Sequence, residues 1–176
     1  MPANTTFDES LPMAYYNHRP FPRTCLEIYL LDQARHRSSR REFDLLNRLA
    51  YIFDWRLHRD YETPLRNGST LVVTDTEGVI IWASSRFLTM TGYTPAEALG
   101  QTPAFLQGPD TDTATVRRLS DRLVRASLTG RIRPIRERIL NYRKGGEKYW
   151  CELEIDPLWT TGGELTHFLA IEKEID

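Results

Sequence analysis

Apolar residues recur at helical spacing early in the chain and alternate with polar ones near its end. Between Ser39 and Leu57, one stripe is Phe43, Leu46, Ala50, Phe53 and Leu57, and a second beside it is Leu45, Leu49 and Ile52. A helix apolar on two sides needs contacts on both. Thr24-Cys25-Leu26-Glu27 and Ser39-Arg40-Arg41-Glu42 each match a capping box, in which the hydroxyl accepts from the amide three residues on and the Glu reaches back. The pattern predicts two helices, one ending at about Arg37 and one at about Leu57, with a break at Ser38-Ser39.

Residues 1–22 carry Pro, Tyr and polar residues without a period and read as irregular. Residues 23–58 form the helical extension, and 59–70, with Pro64 and Asn67-Gly68, read as a linker. From 71 to 176 the pattern is α+β. Leu71–Asp75 and Val79–Ala83 are short strands about a Thr76-Glu77-Gly78 turn. Thr94-Pro95-Ala96-Glu97 starts a short helix, with Thr as cap, Pro in the first turn and Glu three residues on. Thr102-Pro103 resembles a second such start. A longer helix capped near Asp112 puts Val116, Leu119, Leu123 and Ala126 on one face, and Gly130 lies beyond its end. Three longer strands follow, at about 133–143, 147–157 and 164–173. This order suits a five-stranded antiparallel sheet with short helices on one face.

These residues resemble a known family. Val73-Thr74-Asp75, Ala83-Ser84-Ser85-Arg86-Phe87 and Thr91-Gly92-Tyr93-Thr94 are similar to the opening of PAS domains. Phe105-Leu106-Gln107-Gly108-Pro109-Asp110-Thr111-Asp112 resembles the LOV subgroup, and Asn141–Gly146 with Tyr149-Trp150 resembles its closing strands. The resemblance implies a PAS fold over 71–176 and a sensory or signalling role. It also implies that the N-terminal helices mediate pairing. The outer sheet face, with Val73, Leu140, Trp150, Leu169 and Ile171, wants cover that one stripe of the second helix can supply while the other meets a second subunit. The expected partner is therefore a second copy of the chain, held through the N-terminal helices and outer sheet face, with a signalling partner protein as the other candidate.

LOV domains bind flavin mononucleotide, and blue light bonds the flavin to a cysteine in a Gly-x-Asn-Cys-Arg-Phe-Leu-Gln motif. Here that stretch is Gly100-Gln101-Thr102-Pro103-Ala104-Phe105-Leu106-Gln107. Proline stands at the cysteine position and has no nucleophilic atom. Ala104 and Ser120 occupy the positions of the two phosphate-binding arginines. Asn141 keeps one ring-edge amide, Cys151 replaces its partner, and Glu172 replaces the glutamine of the last strand. Thr74 and Gln107 are retained. The resemblance makes Thr74, Thr102, Gln107, Asn141, Cys151 and Glu172 the candidate pocket positions. Strand alternation independently turns Asn141, Cys151 and Glu172 to one inner face.

Two readings stay open at each inner position. Asn141 ties down a strand end or binds a ligand edge. Cys151 is a small buried hydrophobe or a thiol facing a ligand. Glu172 frays toward water, or is a buried acid that bonds a ligand or senses protonation. A dianionic phosphate needs charge-assisted donors, usually arginines. Arg117 or Arg118 could supply one. Without them phosphate-free riboflavin, another ligand, or a pocket filled by its own side chains is favoured.

Composition narrows the function classes. A formal net charge of −1 gives no overall field for nucleic acid or an anionic membrane. No apolar run reaches the roughly 20 residues that span a bilayer. The start has no signal-peptide pattern, and two distant cysteines make neither a disulfide framework nor a zinc site. The expected setting is the cytoplasm. No nucleophile triad, phosphate loop or His-Glu-x-x-His occurs, so no enzyme activity is expected. The expectation is a non-enzymatic sensory module paired through its N-terminal helices. The alternative is a flavin photoreceptor working without a cysteinyl adduct.

Overall fold

The computed structural model describes the backbone of residues 23–129 and 134–175, with side chains from residue 27. The expected irregular stretch 1–22 and Gly130 lie outside the described residues, and the Thr24 side chain lies outside the described side chains. A single helix, α1 (Arg23–Ile52), replaces the two expected. A serine costs a helix only tenths of a kcal/mol against alanine, whereas proline costs about 3. Ser38-Ser39 therefore cannot break the helix, and Ser39 is buried at 8% exposure rather than freed to cap.

α1 stops before the expected Leu57. Asp54 adopts the left-handed conformation (φ 57°). Its amide donates to the Tyr51 carbonyl at 3.4 Å, and that of Trp55 to Ala50 at 2.8 Å. This pairing satisfies the last helical carbonyls and turns the chain away. The Asp54 carboxylate is held in turn by the Thr161 hydroxyl and, at 3.2 Å, by the Thr161 amide. A short helix, α2 (Glu62–Arg66), lies within the expected linker. Its start is held by Asp60 Oδ1, which accepts from the amides of Glu62 and Thr63 at 2.8 and 3.1 Å.

The remaining elements are β1 (Thr70–Asp75), β2 (Ile80–Ala83), α3 (Arg86–Thr91), α4 (Pro95–Ala98), a 3₁₀ turn (Pro103–Leu106), α5 (Thr113–Thr129), β3 (Ile135–Tyr142), β4 (Lys148–Trp159) and β5 (Leu165–Ile175). The five strands form one sheet in the order β2-β1-β5-β4-β3, with every neighbouring pair antiparallel. α3 is too short, at six residues, for its apolar positions to show a period in sequence.

The residues from Ser38 onward form one compact unit. Its sheet carries a core on each face. On the outer face Leu46 and Ala50 of α1 pack with Trp55, Tyr61, Leu65, Leu71, Val73, Leu158 and Leu169. The Leu46 stripe thus covers the sheet, while Leu45 and Ile52 stay exposed. Trp150, also on the outer face, remains 47% exposed.

A polar cluster fastens the segment after α1 to that face. Asp156 of β4 is fully buried. Tyr61 Oη donates to its carboxylate at 3.1 Å, Arg59 Nε lies at 2.8 Å and His58 Nε2 at 3.7 Å. Burial raises the Asp156 pKa above its ordinary value, and the Arg59 charge only partly offsets this. Trp55 Nε1 donates to Thr166 Oγ1 at 3.0 Å, and Phe53 stacks on the Trp55 ring at 4.9 Å.

Candidate ligand cavity

The inner face of the sheet and the helices opposite it do not close completely. Val116, Leu119 and Leu123 of α5 pack against Ile139, Leu153, Ile155 and Phe168, as the helical spacing predicts. Between these layers and the 3₁₀ turn lies a cavity of about 390 Å³.

Local sequence explains how its rim is built. Thr94 accepts from the Glu97 amide at 3.2 Å and Glu97 from the Thr94 amide at 2.9 Å, the reciprocal cap the sequence predicts. Lys144 pairs with Glu97 and holds its carboxyl well below the usual range. Pro103 begins the 3₁₀ turn, where its missing N–H costs nothing. The Thr102 hydroxyl makes no capping bond there. Asp112 caps α5, accepting from the amides of Ala114 and Thr115 at 3.0 and 3.1 Å.

The Gly108–Thr111 run is shaped by Tyr142. A Cβ on Gly108 would sit 2.4 Å from that ring, so only glycine admits it. Tyr142 Oη donates to the Asp110 carboxylate and accepts from the Asp110 amide, each at 2.9 Å. Thr111 Oγ1 donates to the Leu140 carbonyl at 2.7 Å. Together these contacts tie the start of α5 to β3.

Five of the six candidate positions line the cavity: Thr74, Thr102, Gln107, Asn141 and Glu172. Cys151 shares their side of the sheet but does not line it. Its thiol is fully buried, points toward the Glu152 carbonyl at 3.8 Å, and is pushed well above its ordinary pKa by burial. A thiol held protonated in this way is a poor nucleophile.

Asn141 is buried and donates a long hydrogen bond, 3.5 Å, to Tyr149 Oη. Its amide therefore keeps bonding capacity for another partner. Glu172 is 6% exposed, and its Oε2 has no hydrogen-bond partner. Burial pushes its pKa up to about 7. The described lining contains no Lys, Arg, His or Cys. Ala104 and Ser120 line it without charge. Arg117, exposed, lines a shallow cleft that shares Gln107, Val116 and Ser120 with the cavity.

Strand alternation also puts Ala170 on the face of Glu172, but sequence reasoning missed the apolar walls Val72 and Leu106, which give no signal apart from ordinary core residues. It also missed the Asp156 cluster: period two places Asp156 with Glu152 and Glu154 on the outer face and gives no sign of its burial.

The chain is 38% identical over 109 residues to phototropin-2 of Oryza sativa subsp. japonica, a match covering 60% of this chain and 11% of that protein. It thus spans about a tenth of that relative. A light-oxygen-voltage domain solved in a study of a flavin analogue matches with a TM-score of 0.58 at 30% identity, covering 68% of this chain and 87% of that one. The LOV domain of the blue-light activated histidine kinase of Erythrobacter litoralis matches with a TM-score of 0.54 at 28% identity, covering 61% of this chain and 95% of that one. The PAS domain family model matches residues 67–176, well over half of the sequence, and the chain therefore belongs to the PAS domain family.

Proposed function

We propose that this chain is a non-enzymatic, LOV-like sensory module. Its cavity holds a planar heteroaromatic ligand of the flavin type without forming a bond to a thiol. The observation that carries the reading is the lining: mostly apolar walls with a few convergent polar groups, from Thr74, Gln107, Asn141 and Glu172. No side chain among the described lining residues forms a nucleophile–base pair, which favours binding over chemistry.

The same lining favours riboflavin over flavin mononucleotide. A phosphate dianion finds no cation among the described lining residues, and Arg117 stands in the adjoining cleft that shares Gln107 and Ser120. A bound flavin would supply blue-light absorption and electron acceptance. Asn141 and Gln107 would bond its ring edge, and Leu153, Ile155 and Phe168 would exclude water from its faces. Pro103 and the buried, protonated Cys151, which does not line the cavity, leave no adduct route.

Output runs through the outer face. β5 lies between β1 and β4 and alternates Phe168, Ala170 and Glu172 inward with Leu169 and Ile171 outward. A shift of β5 caused by the ligand therefore moves the surface on which Leu46 and Ala50 sit. The exposed apolar residues of α1, Ile28 and Leu31, three apart, and Leu45 and Ile52, seven apart, fit helix pairing in a homodimer. Native mass spectrometry of the chain purified without added cofactor tests both parts at once. The expected species is a dimer carrying one riboflavin per subunit, and a colourless, ligand-free monomer defeats the reading.

A further inference from the structure

We propose that Glu172 couples proton uptake to filling of the cavity: its carboxyl sits between the ligand space and a second, smaller cleft, and is neutral when a ring edge of hydrogen-bond acceptors lies against it. The proposal rests on the heteroaromatic-ligand reading above and adds a proton to it.

The geometry comes from two spaces that share one side chain. Glu172 lines the large cavity, and it also lines a cleft of about 70 Å³ with Gly68, Thr70, Arg86, Thr89 and Glu174. Thr89 and Glu174 are exposed, so the cleft reaches solvent. Glu172 is therefore in touch with both the ligand space and a route for protons. Its Oε2 is buried without a partner. A buried polar atom in this state is unusual, and a ligand atom would satisfy it.

The groups around Glu172 leave its charge uncompensated. From β4, Tyr149 and Cys151 face it, and both are kept protonated by burial and by the nearby carboxylate. Asn141 of β3 is neutral and lines the same cavity. Thr70 of β1 is its paired neighbour in the sheet. Arg86 of α3 lines the outer cleft and forms no ion pair with it among the described residues. Glu174 of its own strand is occupied by Arg143 at 2.6 Å. An acid in this setting titrates near neutrality (about 7), and any further loss of solvent moves it upward.

A flavin-type ring edge presents carbonyl and imine acceptors. A carboxylate against them repels, whereas a carboxylic acid donates its O–H. Binding then follows the balance Glu172–COO⁻ plus H⁺ plus ligand gives Glu172–COOH bonded to the ligand. The proton comes from water through the cleft, and the ligand loses none.

The test is riboflavin titration of the full chain, by fluorescence from about pH 5 to about pH 9 and by calorimetry in buffers of different ionisation heat. The expected wild-type result is uptake of about one proton per site on the alkaline side. Affinity should fall toward about tenfold per pH unit above neutrality. Glu172→Gln, which keeps size and packing, should bind with no proton uptake and no slope. A ¹³C-carboxyl titration of the ligand-free chain should show one glutamate with its midpoint near neutrality, missing in the variant. Tight binding with a flat pH profile in the wild type overturns the proposal, and so does a slope that survives in Glu172→Gln. If riboflavin binds at no pH, the flavin reading falls. The carboxyl titration then decides separately, because the absence of a glutamate titrating near neutrality overturns the proton role on its own.

Discussion

Leu46→Ala separates a helix that is part of the sensory domain from one that merely flanks it. Leu46 is at 0% exposure, packed by α1 onto the outer sheet face among Leu71, Val73 and Leu169. Truncation loses the transfer energy of the removed carbons and leaves a cavity. In well-packed cores the two together cost 2.7 to about 5 kcal/mol. Strand residues cannot collapse into the space without breaking register, so about 3 kcal/mol is expected here, roughly a hundredfold in the folded ratio. Tyr51, five residues on, is 89% exposed, and Tyr51→Ala should fall within about 0.5 kcal/mol in dilute, monomeric protein. Urea unfolding followed by tryptophan fluorescence reads the difference, since Trp55 lies in the layer concerned. The midpoint should drop for Leu46→Ala with an unchanged slope. A loss under about 1 kcal/mol at Leu46, or an equal loss at Tyr51, would show that α1 does not belong to the outer core.

Two further outcomes follow from buried polar groups. The folded-state pKa of Glu172, about 7, exceeds its ordinary 4.5, so the folded protein holds this proton more tightly than the unfolded chain. Wild-type stability should therefore lose about 3 kcal/mol at this site as pH rises from about 4.5 to about 7 and stay level above, at about 1.4 kcal/mol per pH unit. Glu172→Gln should match the wild type below that window and exceed it above, and a difference that does not vary with pH in urea titrations counts against the assignment. Tyr61→Phe removes a donor from the fully buried Asp156 and should cost about 1–3 kcal/mol by thermal or urea unfolding, while an unchanged midpoint would mean that water replaces the hydroxyl.

The parts of the fold that could be read from sequence are those whose cause is local. The Thr94–Glu97 cap, the Asp112 start of α5 and the facing, by strand alternation, of Ile139, Asn141, Cys151, Leu153, Ile155, Phe168 and Glu172 to the inner side each need only neighbouring residues, and each is found where expected. The inward turn of Asn141, Cys151 and Glu172 follows from the same alternation. What alternation cannot give is depth. It places Cys151 and Glu172 on one face, yet only the register, with Leu153 opposite Glu172 and Ile139 opposite Cys151, decides that one lines the cavity while the other is packed away from it. Asp156 shows the same limit on the opposite face. Its spacing from Glu154 fixes only its face, and its burial follows from the segment after α1, which brings Arg59 and Tyr61 over it. The break expected at Ser38-Ser39 fails for a related reason: a capping pattern can start a helix only where the chain has already left one, and two serines are too weak a breaker to end α1. A carboxylate on a strand therefore has no fixed meaning in sequence. On β4 and β5 the same residue class becomes a clamp for a linker at Asp156 and an uncompensated acid at Glu172, according to whether a cation is folded onto it.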